Sequence, residues 1–143
     1  IGKNGRSINK KEGDLKTPRG MFDLGDLYFR ADREKKPESK IKCIKIKKNT
    51  ICCNDLKSKK YYNKILNKIK NLRNETLYRK DYKYNFVLPI KHNSKKNTLG
   101  NGSCIFIHLT NNYIPTSGCI ALKKKDFLIL LKIINFKKKI LIK

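Results

Sequence analysis

The stretch Gly102-Ser-Cys-Ile-Phe-Ile-His-Leu-Thr-Asn-Asn-Tyr-Ile-Pro-Thr-Ser-Gly-Cys-Ile-Ala-Leu122 carries the strongest structural and chemical signals in the sequence. Residues 103–109 form a short run that is apolar apart from its first residue and one histidine, His108. A polar segment with two asparagines and a proline separates this run from Gly118 and Cys119. The order predicts a buried strand, a returning loop and a tight turn that presents a thiol near the end of the strand.

A cysteine and a histidine brought together in this way suit nucleophilic catalysis. A free cysteine, with a pKa of about 8.5, is mostly thiol at neutral pH. His108 would either take the proton of Cys119 or hold its thiolate as an ion pair. Gly118 permits a sharp backbone turn, and backbone N–H groups around Gly118 and Cys119, with Ser117 in the same turn, would face a developing oxyanion. We therefore expect His108 within hydrogen-bond reach of Cys119 or one small side-chain rotation from it, and a lowered Cys119 pKa.

These residues resemble the short branch of the YkuD-type L,D-transpeptidases. The pattern of that branch is Gly-Ser-x-Ile-Phe-x-His, a loop with Pro-Thr, and then Gly-Cys-x-x-Leu. The matching residues are Gly102, Ser103, Ile105, Phe106, His108, Pro115, Thr116, Gly118, Cys119 and Leu122. The chain departs from the better-known form, Ser/Thr-His-Gly-Cys-x-Arg/Asn. Ser117 directly precedes Gly118, and Ala121 stands where the Arg or Asn would be, so the role of that polar residue is filled elsewhere or missing.

Two further segments carry the resemblance. Residues 11–20 are a turn cluster similar to the Lys-x-Glu-Gly-Asp-x-x-Thr-Pro-x-Gly segment of the family, and we expect a structural role for them. A second set of matches suggests a pocket wall: Cys53, Asp55, Tyr62, Asn63, Glu75, Leu77, Arg79, Asp81 and Tyr84. Arg79 is the candidate for binding a substrate carboxylate. The alternative is that Arg79 only forms an ion pair with Glu75 or Asp81. Tyr84 and Thr116 are further candidate substrate-binding residues.

The resemblance implies a fold, an activity and a location. The fold would be α+β and mostly β, a mixed β-sandwich with one helix after the catalytic cysteine. Residues 1–143 would form a single catalytic domain that lacks the first strand of the family. Cys119 and His108 would transfer an acyl group of peptidoglycan stem peptides through a thioester, which cross-links the cell wall. We expect no cofactor, a monomer, and a location in the bacterial cell envelope or periplasm, although no signal peptide is visible in the chain.

Composition limits the other possibilities. The chain has 36 Lys and Arg against 11 Asp and Glu, a formal net charge of +25. The basic residues are spread along the whole sequence, which favours a solvated surface over a specific nucleic-acid site. No apolar run is long enough to span a membrane. Five cysteines without Cys-x-x-Cys spacing and only two histidines argue against a zinc site. One disulfide among Cys43, Cys52, Cys53 and Cys104 is possible, but the sequence leaves the pairing open.

The remaining pattern predicts several strands and one clear helix. Strands are expected at residues 21–29, 41–47, 50–53, 86–90 and 140–142, with a hairpin turn at 48–49. The run 103–109 should lie in the middle of the sheet because both of its faces are apolar. Apolar residues between 62 and 72 follow a helical spacing, and a helix after Leu122 should bury Phe127, Leu130, Leu131 and Ile134, ending at 135–138. His92 lies in a lysine-rich setting and is expected to be exposed.

Two other functions stay open at this point. The same Cys119 and His108 would serve a thiol-dependent peptidoglycan amidase or peptidase. Alternatively, the chain is a catalytically inactive basic binding module in which Cys119 is a buried structural thiol. A lone cysteine is more often structural than catalytic. The order and spacing of the matched positions favour the enzyme, since a buried thiol does not require them.

Overall fold

The computed structural model describes residues 1–134 and 139–143. The predicted end of the helix, at residues 135–138, lies outside the described residues. The elements in chain order are β1 (Arg6–Ser7), β2 (Thr17–Pro18), β3 (Gly20–Asp23), β4 (Leu27–Phe29), β5 (Cys43–Lys45), β6 (Thr50–Cys53), β7 (Ile65–Asn67), β8 (Asn74–Thr76), β9 (Phe86–Pro89), β10 (Phe106–Leu109), β11 (Ile120–Leu122), α1 (Lys124–Ile133) and β12 (Lys139–Ile142).

A five-stranded mixed sheet in the order β11-β10-β9-β4-β5 is the centre of the fold. Strand β10 pairs in parallel with β11 on one side and antiparallel with β9 on the other. All four residues of β10 are buried. A strand that is covered on both faces needs apolar residues at nearly every position, as the run 103–109 provides. The prediction that this run lies within the sheet is confirmed, although the strand itself begins only at Phe106.

A three-stranded antiparallel sheet, β7-β6-β8, covers one face of the central sheet. The apolar residues between the two sheets include Val87 of β9 and Phe106 of β10, with Cys52 of β6. A disulfide joins Cys52 to Cys104, just before β10, and so ties the two sheets together. Two sheets that enclose a shared apolar layer form the sandwich that the sequence predicts.

Helix α1 covers the opposite face of the central sheet. Its buried residues Phe127 and Leu131 join a second apolar cluster that contains Ile107 and Leu109 of β10. Side chains one residue apart on a strand point to opposite faces, so β10 contributes to both clusters. The helix follows β11 directly and carries Asp126 in its first turn, where the helix dipole favours an acidic side chain. The predictions of a mostly β α+β fold and of one helix after Cys119 are confirmed for the described residues.

The predicted strand at residues 21–29 was wrong in one respect, because it is two strands in different sheets. Strand β3 pairs with β12, whereas β4 pairs with β5 and β9. The chain bends between them at Gly25, whose N–H donates to the carbonyl of Pro89 at 2.8 Å. A Cβ at Gly25 would lie 3.0 Å from the Pro89 ring, a tight contact, so the close approach of the two segments favours glycine.

Two other local predictions were also wrong. The turn at 48–49 exists, since the Thr50 N–H donates to the Lys47 carbonyl at 2.9 Å. However, β5 and β6 on either side of it belong to different sheets and do not form a hairpin. The apolar residues between 62 and 72 do not form a helix; they belong to turns, to irregular connecting segments and to β7, which pairs with β6. Asn63 and Asn71 adopt positive φ angles of 58° and 63°, which interrupt any helix there.

We expect the Cys52–Cys104 disulfide to be a major source of stability. It links residues 52 positions apart in sequence, and a cross-link over a loop of this length restricts the unfolded chain. Cys52→Ala should lower the free energy of unfolding by about 2 to 5 kcal/mol. Chemical denaturation measures the change. Cys43→Ala is the control, since Cys43 is a free cysteine, and an equal loss in that variant would contradict the assignment.

Candidate active site

Cys119 sits at the corner that precedes β11. The parallel register pairs His108 with Ala121, so Cys119 lies two residues before the partner of His108 and on the same face of the sheet. Its sulfur accepts a hydrogen bond from the Phe106 N–H at 3.4 Å, and its S–H donates to the Cys104 carbonyl at 3.5 Å. The thiol is therefore held against the backbone just before and at the start of β10.

Gly118 makes this corner possible. Its φ of 144° is uncommon for a residue with a side chain, and a Cβ would lie 2.9 Å from the Lys16 carbonyl oxygen. The Thr116 hydroxyl donates to the Cys119 carbonyl at 2.6 Å and accepts from the Gly118 N–H at 3.2 Å. Thr116 thus closes the turn through its own side chain. Ser117 is exposed, and no described residue hydrogen-bonds to its hydroxyl.

The histidine is buried and fixed in one orientation. The His108 Nδ1 is 2.9 Å from the carbonyl oxygen of Leu109. A carbonyl only accepts, so Nδ1 carries the hydrogen and Nε2 of the neutral ring keeps a free lone pair. No described residue hydrogen-bonds to Nε2. Burial lowers the pKa of His108, and the charges of Lys83 and Arg79 lower it further, although the hydrogen bond to Leu109 opposes them. The ring is therefore a neutral base at neutral pH.

The expected hydrogen bond between His108 and Cys119 is not present in this structure. Within residues 1–134 and 139–143, the thiol donates to the Cys104 carbonyl and the ring to that of Leu109. The expected lowering of the Cys119 pKa was wrong. Burial raises the pKa of Cys119 to about 12, and the negative charge of Glu75 adds to the effect. The resting pair is a neutral thiol and a neutral imidazole.

Tyr84 forms the wall behind this pair. Its ring packs edge-on against Phe106, with centroids 6.0 Å apart, and lies 5.4 Å from the His108 ring. Its hydroxyl donates to Oε1 of Glu75 on β8. Burial holds the pKa of Tyr84 well above its ordinary value, and the neighbouring Cys119 and Glu75 raise it further. Tyr84 is therefore a neutral hydrogen-bond donor.

Arg79 lies at the same wall, but an acidic side chain already binds it. Its Nε and Nη2 donate to the Asp81 carboxylate at 3.0 and 2.5 Å, and its guanidinium lies 4.9 Å from the Tyr84 ring. The ion pair with Asp81 is the alternative that the sequence left open. Nη1 makes no hydrogen bond with a described residue. The backbone carbonyl of Arg79 accepts from the buried Arg30 at 2.5 Å, which holds this loop in place.

These groups surround one cavity of about 570 Å³. Cys119, His108, Tyr84, Arg79 and Glu75 all line it. The cavity therefore brings together every site residue that the sequence predicted. The further lining residues Thr116, Ser117 and Gly118 belong to the turn described above.

The loop at residues 11–20, which resembles the Lys-x-Glu-Gly-Asp segment of the family, lines part of the cavity. Lys10 is 5% exposed, and its ammonium group forms an ion pair with Asp14 at 2.5 Å. Glu12 accepts hydrogen bonds from Tyr62 at 2.6 Å and from Ser103 at 2.7 Å. The structural role expected for this segment is visible in these contacts, because they fix the loop against the chain that leads into β10.

His92 is not the exposed histidine that its neighbours suggested. Its Nε2 is 2.8 Å from the Asn101 carbonyl, and its ring packs edge-on against Phe22. Burial lowers its pKa. His92 lies outside the cavity of Cys119, which leaves His108 as the histidine beside the thiol.

Sequence reasoning missed the position of Glu75 as an acidic side chain beside the candidate nucleophile. Its negative charge contributes to the raised pKa of Cys119, and burial raises its own pKa against the opposing effects of Tyr84 and Arg79. The available signal was its match in the pocket-wall pattern, which the sequence reading used only for Arg79 and Tyr84. In the described residues, no group of three or more His, Cys, Asp or Glu side chains is arranged to hold a metal ion.

The comparison with protein families matches YkuD, the L,D-transpeptidase catalytic domain, over residues 1–142. The chain therefore belongs to the YkuD L,D-transpeptidase family, and the resemblance stated from its motifs is confirmed. Neither the curated proteins nor the solved structures gave a match. The described part of the chain has no helix with the length and apolar character that crossing a membrane requires.

The raised pKa of Cys119 predicts how the thiol reacts with a small neutral alkylating reagent. Only the thiolate reacts, so the rate at Cys119 should rise with pH to a midpoint well above the value of about 8.5 for a free cysteine. Glu75→Gln should move this midpoint down, because it removes a negative charge beside the sulfur. Mass spectrometry of the Cys119 peptide over a pH series measures both, and Glu75→Asp is the matched control. A midpoint below pH 7 in the unmodified protein would contradict the neutral resting pair.

Proposed function

We propose that the protein is a cysteine L,D-transpeptidase that acts on peptidoglycan stem peptides. The observation that carries the proposal is a thiol and a neutral histidine with a free Nε2 in one cavity of a YkuD chain. Cys119 is the nucleophile, and the free Nε2 of His108 is the base. The site would serve in the bacterial cell envelope, where the substrate is found, with the chain acting as a monomer.

The first half of the reaction forms a thioester. The Cys119 sulfur attacks the carbonyl between the third residue of a tetrapeptide stem and its terminal D-alanine. The raised Cys119 pKa favours proton transfer to His108 during the attack over a preformed thiolate. His108 then returns the proton to the leaving amine, and D-alanine departs.

The oxyanion of this step needs N–H donors at the corner. The Gly118 N–H already donates to the Thr116 hydroxyl at 3.2 Å. The Cys119 N–H makes no hydrogen bond with a described residue, so we assign it the main role in place of Gly118. Ser117 is next in the turn and would supply a second donor. In the second half, the side-chain amine of a neighbouring stem attacks the thioester and forms the cross-link.

Cationic groups at the cavity would bind the carboxylates of the donor. Ala121 provides none, and Arg79 retains only its Nη1 edge beyond the pair with Asp81. Arg73 and Lys83 also line the cavity, and neither side chain forms an ion pair with a described residue. We assign the donor carboxylates to these three cations, with Arg79 the most rigidly held. Tyr84 would pack against the bound stem.

Removing the nucleophile tests the proposal. Cys119→Ala should abolish release of D-alanine from a tetrapeptide donor while leaving the thermal unfolding temperature nearly unchanged, since the site is at a turn. Cys43→Ala removes another free cysteine that is outside the cavity, and it should retain activity. Turnover by Cys119→Ala at the rate of the unmodified protein would end the enzyme proposal. Release of D-alanine without any cross-linked product, in the presence of an amine acceptor, would identify a hydrolase that uses the same residues.

Arg79 should affect binding more than thiol chemistry. Arg79→Gln should raise the donor KM by roughly threefold to tenfold, the loss expected for one charge-assisted hydrogen bond in a partly exposed site. Alkylation of Cys119 by a small neutral reagent should stay nearly unchanged, because that reagent has no carboxylate. Arg79→Lys keeps the charge and should be intermediate. An unchanged donor KM in Arg79→Gln would show that its ion pair with Asp81 is its whole role.

A further inference from the structure

Lys10 is a charged residue in the interior of the protein. Its side chain is 3% exposed, although lysine is among the residues least often buried. The stem of the side chain runs between two glycines. A Cβ at Gly102 would lie 2.8 Å from Lys10 Cγ, and a Cβ at Gly118 would lie 3.5 Å from Lys10 Cε. Lys10 therefore packs against the segment that leads into β10 and against the corner that presents Cys119.

The ammonium group of Lys10 has a donor to spare. Its Nζ donates to the Lys11 carbonyl at 2.6 Å and to the Asp14 carboxylate at 2.5 Å. An ammonium has three N–H donors, and within residues 1–134 and 139–143 the third finds no acceptor. The Asp14 carboxylate also accepts the backbone N–H groups of Lys11 and Lys16, at 2.8 and 2.9 Å. Because the backbone already satisfies this carboxylate in part, Asp14 alone does not explain why a lysine is buried here.

The ion pair presents its positive member to the candidate site. Lys10 lines the cavity that contains Cys119 and His108, whereas Asp14 does not. The two charges of the pair cancel at long range. They do not cancel at the cavity wall, since only the lysine reaches it and Coulomb energies fall with distance.

The charge of Lys10 acts on the thiol. Burial raises the pKa of Cys119 and Glu75 raises it further, whereas the positive charge of Lys10 opposes both. In thioester formation, the thiol proton moves to Nε2 of His108 as the sulfur bonds to the carbonyl carbon, and the carbonyl electron pair becomes an oxyanion. Negative charge therefore develops at the corner against which Lys10 packs. A fixed cation stabilises such charge most where burial reduces screening by water.

We propose that the buried ammonium of Lys10 stabilises the negative charge that develops at the Cys119 corner, and that it thereby speeds thioester formation without binding the donor. The inference rests on the proposed function, in which Cys119 is the nucleophile. The alternative is that Lys10 only holds its loop through the pair with Asp14. The two roles differ in what happens when both charges of the pair are removed together.

Three variants separate these roles. Lys10→Met removes the charge and keeps an unbranched side chain of similar length between the two glycines. A double variant, Lys10→Met with Asp14→Asn, removes both charges, so that no carboxylate loses its partner. Lys11→Met is the matched control, because Lys11 is the neighbouring lysine, is exposed and does not line the cavity. Circular dichroism and the thermal unfolding temperature establish that each variant is folded.

The readouts are the rate of thioester formation, the donor KM, and the pH midpoint for alkylation of Cys119 by a small neutral reagent. We expect Lys10→Met and the double variant to slow thioester formation about tenfold at a nearly unchanged donor KM, and to raise the alkylation midpoint. Lys11→Met should change none of the three.

Recovery of the normal rate in the double variant would show that the ion pair is only structural, and it would overturn the inference. An unchanged alkylation midpoint, or a loss confined to the donor KM, would overturn it as well. Alkylation needs no donor, so this readout tests Lys10 independently of turnover. The absence of any thioester in the unmodified protein would instead overturn the proposed function.

Discussion

The parallel pairing of β11 with β10 is the contact on which the site depends. It sets Ala121 beside His108, and it places Cys119 beside the start of β10, where the Phe106 N–H reaches its sulfur. The same pairing leads into α1, which covers the other face of the central sheet. A parallel neighbour requires the chain to return to the starting end of β10. The loop at residues 110–119 makes that return, and Gly118 and Thr116 close its last turn.

In the cavity, neighbouring side chains and burial determine the charge of each group, in spite of the high net charge of the chain. Two of its basic residues are neutralised by neighbouring acids, Lys10 by Asp14 and Arg79 by Asp81. Burial and Glu75 raise the pKa of Cys119, while burial lowers the pKa of His108. Both changes favour the uncharged forms, so Cys119 is a neutral thiol in the resting state. A neutral thiol of this kind reacts more slowly with oxidants and alkylating reagents than a thiolate does.

The parts of the fold that could be predicted from sequence are those whose pattern is unambiguous. The run 103–109 is apolar on both faces, which only a buried strand accommodates, and α1 has a clear buried stripe through Phe127 and Leu131. The region at 62–72 misled because its apolar spacing also fits a helix. What decides its structure is pairing with β6 and the positive φ angles of Asn63 and Asn71, which local periodicity does not reveal. The partner of β5 was missed for the same reason, since strand pairing is a long-range choice.

The sequence predicted which residues line the candidate site better than it predicted their pKa values. The matched positions predicted Cys119, His108, Tyr84 and Arg79 as site residues, and all four line one cavity. The pKa of the thiol could not be predicted, because it depends on burial and on Glu75, which approaches from β8 some 44 positions earlier in the sequence. The pairing of Cys52 with Cys104 was equally hidden, since it follows from the stacking of two sheets.

Intact-protein mass spectrometry after mixing with a tetrapeptide donor tests the central claim most directly. The account predicts an adduct whose mass equals that of the donor less D-alanine, with peptide mapping that places it on Cys119. The adduct should be lost in His108→Ala, because that variant has no base for a thiol with a raised pKa. The absence of any adduct on the folded protein, or an adduct on another residue, would contradict the account.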